Sequence, residues 1–174
     1  MESFSEAKRL QRLRDTGILD TMGDQLFRGF AEQALDVMPG TSIAAVSLVD
    51  SDRQWFKTII GLTVKQLPRE VSFCSHTIQS DGTMVVEDAT RDSRFARNPL
   101  VISHPGIRFY AGVNLMQGLG ALCVIGQQPR RATSTEITKL TKLAHYVEIQ
   151  LLAHGVLFNL DAAAIRPSLS PSRQ

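Results

Sequence analysis

Residues 107–125 read IRFYAGVNLMQGLGALCVI. Two apolar runs, Ile107–Leu115 and Leu119–Ile125, are joined by Met116-Gln117-Gly118. Each run has the length of a strand and is rich in β-branched, aromatic and small residues. A glycine in the joint suits a tight connection. The stretch reads as a hairpin at the centre of an antiparallel sheet. Arg108, Tyr110 and Asn114 share one parity, while Ile107, Phe109, Ala111, Val113 and Leu115 share the other. The second parity is expected to face the core. The first, polar on an otherwise apolar sheet, is expected to floor a pocket.

Upstream, Ser42–Asp50 (SIAAVSLVD) reads as a buried strand and Gln54–Ile60 as its returning partner, joined by the Asp-rich turn 50–53. Residues 63–70 are polar, contain Pro68 and read as a loop. Ser72 is placed to cap a short helix over Phe73–Ser80. Asp81-Gly82 then turns the chain into a strand over Thr83–Asp88. Within Ala89–Gly106 the expectation is a short helical turn near Ser93–Arg97 and then a loop.

Helices are expected at both ends. Ser3-x-x-Glu6 has the capping-box pattern for a helix over 3–15, which Gly17 ends. Its stripe, Leu10 and Leu13, is thin, so this helix must lie on something. Between Gly23 and Met38, Leu26, Phe27, Phe30, Ala31, Ala34, Leu35 and Met38 recur at helical spacing before Pro39-Gly40. Thr133-x-x-Glu136 opens a long helix to about Leu160. Ile137, Leu140, Ala144, Val147, Leu151 and Phe158 form a heptad-like seam, with His154 in its one gap. A second stripe, Ile149, Leu152, Val156 and Leu160, needs another partner, and a second copy of the same helix is the simplest. Residues 1–160 are thus expected to form one domain. The Pro/Ser-rich 161–174 is expected to be a disordered tail or a linker stump.

The element order, with strands met as hairpins, argues for an α+β fold. The chain has 174 residues, 43% of them hydrophobic, which suits one core. A net charge of +2, not gathered into a block, argues against nucleic-acid binding. The charged N-terminus and the lack of an apolar run of spanning length point to a cytoplasmic domain with no membrane partner. Cys74 and Cys123 have no metal-ligand spacing, and no metal site is expected.

Six segments in order, RLRDTGILDT (12–21), VSLVDSDRQWFK (46–57), GL…PREVSFCSHTI (61–78), VVEDATRDSRFARNPLV (85–101), IRFYAG (107–112) and GALCVIGQQPR (120–130), resemble a GAF domain. The resemblance is to the bacterial subgroup found in sensor kinases and cyclic-di-nucleotide enzymes. It implies a six-stranded antiparallel sheet, a pocket between one sheet face and the crossing helices, and flanking helices that pair in a dimer bundle. Gly126 stands where the family usually has Asp, and Asn114 where it has Pro. The hairpin joint is cut to Met116-Gln117. The rim of the pocket is therefore altered, and closure of the pocket is one expected consequence.

For catalysis, Cys74 and His76 are two residues apart and do not pair by spacing on a helix. A helix N-terminus could lower the Cys74 pKa, but a small buried packing residue is the favoured reading. The resemblance does not extend to the cysteine set of methionine sulfoxide reductases, to the Cys-His of bilin attachment, or to the cyclic-nucleotide signature of phosphodiesterase-type domains. Arg94, Arg97 and Arg108 could meet an anion, against ion pairing to Asp88 and Asp92. The expected ligand-binding set is Tyr110, Arg108, Phe73, Cys74, His76, Asp88 and Phe95. The expected function is non-enzymatic small-molecule sensing through a homodimer, with unknown ligand and cofactor and a signalling output domain or protein as partner. The alternatives are a pocketless dimerisation module and a thiol enzyme using Cys74.

Overall fold

The fold is taken from a computed structural model, which describes residues 5–165. Six strands form one antiparallel sheet in the order β3-β2-β1-β6-β5-β4. They are β1 (Ile43–Val49), β2 (Arg53–Ile60), β3 (Gln66–Pro68), β4 (Thr83–Val86), β5 (Phe109–Leu115) and β6 (Gly120–Gly126). The quoted hairpin is β5–β6, and β6 also pairs with β1, so it lies at the sheet's centre. Its joint, Met116, Gln117 and Gly118, has positive φ throughout (50°, 54° and 106°). β3 is a correction to the loop expected over 63–70. It is an edge strand that pairs with β2 alone, so Pro68 costs no ladder bond there.

Both sheet faces are buried, each by a different layer. Phe109, Ala111, Val113 and Leu115 face α2 (Gln25–Val37) and α5 (Ser134–Ile165), with Ala44, Val46, Leu48, Leu122 and Val124. Trp55, given no role from sequence, is buried in this same layer. The opposite parity carries Tyr110, Ala45 and Cys123 against the 73–107 segment. Ile107 belongs with this second layer, not with Phe109, because β5 starts only at Phe109. The 73–107 segment holds α3 (Cys74–Thr77) and α4 (Pro99–Ile102). Ser72 Oγ accepts the Ser75 N–H at 3.1 Å, as its capping role requires. The turn expected near 93–97 is present, with the Ala96 N–H donating to the Asp92 carbonyl at 2.8 Å, and where a loop was expected after it the chain forms α4. Its signal was Asn98-Pro99, an N-cap whose side chain accepts from the Leu100 N–H, followed by proline in the first turn.

α1 (Glu6–Asp15) is capped by Ser5, whose side chain accepts from the Lys8 N–H; Ser3 lies outside the described residues. α2 starts after Asp24, which caps it. Phe27, Ala31, Ala34 and Met38 are buried, whereas Leu26 is 48% exposed. α5 keeps the expected capping box: Glu136 N–H donates to Thr133 Oγ1, and Glu136 Oε2 accepts the Thr133 N–H. Leu140, Ala144, Val147 and Leu151 form its buried seam. α5 runs through Ile165, so 161–165 are helical where a tail was expected. The rest of that expectation, 166–174, lies outside the described residues.

α1 is held by charge more than by apolar area. The buried Arg9 donates from Nη1 to the carbonyls of Val49 (2.6 Å) and Gly118 (3.1 Å). Glu6 accepts from Arg9 and from Arg69, at the foot of the 69–71 turn. The Arg9 hydrogen bond, with help from Arg69, lowers the Glu6 pKa from 4.5 to about 2. Because the folded pKa is depressed, this stabilisation is complete above pH 4.5 and is lost as pH falls towards 2. The Glu6→Gln variant is therefore expected to converge with the wild type in urea midpoint across that window. A constant difference down to pH 2 would contradict the assignment.

Candidate ligand cavity

A cavity of about 380 Å³ opens on the sheet face covered by the 73–107 segment, within the size range of small-molecule sites. Ala45, Tyr110, Cys123 and Ile125 form its floor, and Gln54 and Phe56 one flank. Phe73 and Cys74 close the side nearest α3, while residues 62–64, Leu100, His104, Pro105 and Ile107 make the rim and roof. Among the described residues that line it, none is Lys, Arg, Asp or Glu. Its polar points are Gln54, Thr63, His104, Tyr110 and the two thiols. The shortened joint has not closed this cavity.

Tyr110 sets the floor. Its ring lies along β5 over Gly112, where a Cβ would overlap the hydroxyl and two ring carbons. The hydroxyl is 2.7 Å from Thr77 Oγ1 and 3.3 Å from Cys74 Sγ. Burial pushes the Tyr110 pKa well up. Gln54, also buried, donates from Nε2 to Cys74 Sγ at 3.0 Å.

Of the seven expected site residues, the structure brings Phe73, Cys74 and Tyr110 together on the cavity wall. The other four lie elsewhere. Phe95 stacks behind Phe73 with ring centroids 4.0 Å apart. His76 meets the edge of Phe95 rather than Cys74, and burial lowers its pKa. Arg108 spends its guanidinium on the carbonyls of Val101 and Ile107, both at 3.0 Å. Asp88 caps the 89–91 turn by accepting from the Thr90 N–H and hydroxyl. Arg94 pairs with Asp92 at 2.6 Å, the ion pairing weighed against an anion site. Gln54, His104 and Cys123 were missed as lining residues. None of the three had a local signal; Cys123 reaches the cavity through its pairing opposite Ala45 in the β1–β6 ladder.

Asn114 does not face the cavity. Its Nδ2 donates to the Ser80 carbonyl (2.8 Å) and more weakly to Ile78 (3.4 Å), just after α3. Its Oδ1 accepts the Gly118 N–H (2.8 Å) in the hairpin joint. The same joint receives Arg9, Arg12 (Nη2 to the Met116 carbonyl, 2.5 Å) and Glu148 of α5, which accepts the Met116 N–H at 2.6 Å. One turn therefore joins the segment after α3 to both terminal helices.

A six-stranded antiparallel sheet with α2 and α5 on one face and the 73–107 segment over a cavity on the other defines an α+β architecture. A sequence model of the GAF domain matches residues 15–151, and the chain belongs to the GAF domain family. The chain is 41% identical over 129 residues to the cyclic di-GMP phosphodiesterase PA2567 of Pseudomonas aeruginosa. That match covers 72% of this chain and 22% of the relative's length. The fold is similar to the GAF domain of an Acinetobacter phosphoenolpyruvate-protein phosphotransferase (TM-score 0.59, 20% identity, 90% of this chain and 97% of that one). It is also similar to the free methionine-R-sulfoxide reductase of Neisseria meningitidis (TM-score 0.58, 20% identity, 85% and 89%). No helix among the described residues is long and apolar enough to cross a membrane.

Proposed function

We propose that this domain is a non-enzymatic, cytoplasmic sensor of a small, neutral, largely apolar molecule, and that it signals through paired terminal helices. The observation that carries this reading is the cavity beside α3, together with the Asn114 link from the end of α3 to the joint that holds α1 and α5. A molecule that binds one arrangement of α3 more tightly than another shifts the balance between them. Asn114 passes that difference to the joint, and Arg9, Arg12 and Glu148 pass it to the helices. The uncharged wall disfavours an anionic ligand, since a desolvated charge there would lack a partner.

The homodimer is supported by α5. Ile149, Leu152, Val156 and Leu160 are 55–61% exposed along one stripe, beside Tyr146 and Leu157. The other side of the same half-helix is occupied by α1, with His154 Nδ1 2.9 Å from the Thr16 carbonyl. A second α5 would cover the open stripe. The relative's name supports an output domain that turns over a cyclic dinucleotide, regulated by this one.

Native mass spectrometry tests both parts. The expected species is a dimer carrying an extra mass that is lost on denaturation. Leu152→Asp with Val156→Asp should yield monomer, and Ala45→Phe should remove the extra mass by filling the cavity. A bare monomer would overturn the reading.

A further inference from the structure

Two buried thiols share the cavity wall, and the sensory reading gives them no task. Cys74 Sγ and Cys123 Sγ are 3.8 Å apart, on α3 and β6, and both border the cavity. A disulfide needs about 2.05 Å, so closing the gap takes a movement of under about 2 Å.

Their surroundings are unequal. Gln54 spends a buried amide N–H on Cys74 Sγ, and the Tyr110 hydroxyl lies 3.3 Å from it. Hydrogen bonding with Cys123, and more weakly with Ser47, Tyr110 and Gln54, holds the Cys74 thiol below its ordinary value against the opposing effect of burial. The hydrogen bond with Cys74, then burial, pushes the Cys123 thiol well up. The hydrogen bonds from Gln54 and to or from Tyr110 single out Cys74 as the nucleophile, and simple core packing requires neither.

We propose that Cys74 and Cys123 form a redox dithiol, oxidised to a disulfide by a hydroperoxide whose apolar body is admitted by the cavity. The dithiol shares the cavity with the sensory reading but needs no resident ligand. The Cys74 thiolate attacks the terminal peroxide oxygen. The O–O bond breaks, the alkoxide leaves as an alcohol by taking the proton that the Cys74 thiol gave up, and the sulfur is oxidised to a sulfenic acid as the peroxide is reduced. Cys123 then attacks the Cys74 sulfur. The S–O bond breaks, the S–S bond forms, and the hydroxyl leaves as water with the Cys123 proton. The balance is two thiols and one hydroperoxide giving one disulfide, one alcohol and one water. The new bond draws α3 towards β6, and Asn114 links the end of α3 to the helix-holding joint.

The test treats the reduced, folded chain with cumene hydroperoxide and follows intact mass. The expected result is a loss of about 2 Da, with a Cys74–Cys123 linkage in the non-reduced peptide map, reversed by dithiothreitol. Cys123→Ser should instead gain about 16 Da as a dimedone-trappable sulfenic acid on Cys74, and Cys74→Ser should do neither. Folded wild type that keeps both thiols, while urea-unfolded protein reacts, would overturn the proposal. Hydrogen peroxide reacting as fast as cumene hydroperoxide would overturn the choice of oxidant. Retained ligand with inert thiols would defeat this inference and leave the sensory reading standing. Disulfide formation in a chain that carries no ligand would do the reverse.

Discussion

Replacing Gly112 with alanine is expected to lower unfolding free energy by about 3 kcal/mol, combining overpacking with the loss of buried hydrogen bonds. The Tyr110 ring lies where the new Cβ would stand. Tyr110 is fully buried, and its hydroxyl is held between Thr77 and Cys74, so a displaced ring gives up those partners. Moving it breaks the contact with Thr77 and withdraws the hydroxyl from Cys74. Tyr110→Phe separates the two effects. It keeps the ring and leaves the Thr77 hydroxyl short of one partner, for an expected loss of about 1–2 kcal/mol. Urea unfolding of both variants at neutral pH measures the difference. If Gly112→Ala proved no worse than Tyr110→Phe, the Tyr110 ring would have to be displaced cheaply, and the floor of the cavity would be softer than the packing implies.

Arg9→Ala is expected to cost about 2–4 kcal/mol, because two buried carbonyls, those of Val49 and Gly118, lose their donors. The same change releases one side of the hairpin joint. Hydrogen exchange should then rise at the joint and along α1 before it rises in the β1–β6 ladder. Arg9→Lys supplies a single point donor in place of the guanidinium fork and should recover only part of the loss. A cost below about 1 kcal/mol would mean that water replaces Arg9. α1 would then be a peripheral helix, unable to read the state of the joint.

Much of the fold was legible in local sequence. The central hairpin, the β1–β2 hairpin and the α2 and α5 seams each rest on periodicity that burial enforces within one segment. The Thr133/Glu136 box and the Ser72 cap were also readable, because capping partners lie within three residues. Two elements escaped. β3 is three residues long and exists through its pairing with β2, which no local pattern announces. α4 had a readable cap in Asn98-Pro99, outweighed by the charged residues before it.

The site was less legible, for a physical reason. Alternation along β5 separates two faces, but both are buried, so parity alone does not say which one meets helices and which a cavity. Polar residues on the cavity-side parity looked like ligand contacts, yet Arg108 and Asn114 satisfy backbone carbonyls at chain reversals. Such carbonyls are left over by tertiary packing and are invisible in sequence. The sequence by itself determined the family, the strands of the central sheet and three cavity residues, Phe73, Cys74 and Tyr110. The tertiary structure decided that the pocket is open and uncharged. It also brought Cys123 to within 3.8 Å of Cys74 from 49 positions away, because sheet order is set by long-range pairing that no local pattern encodes.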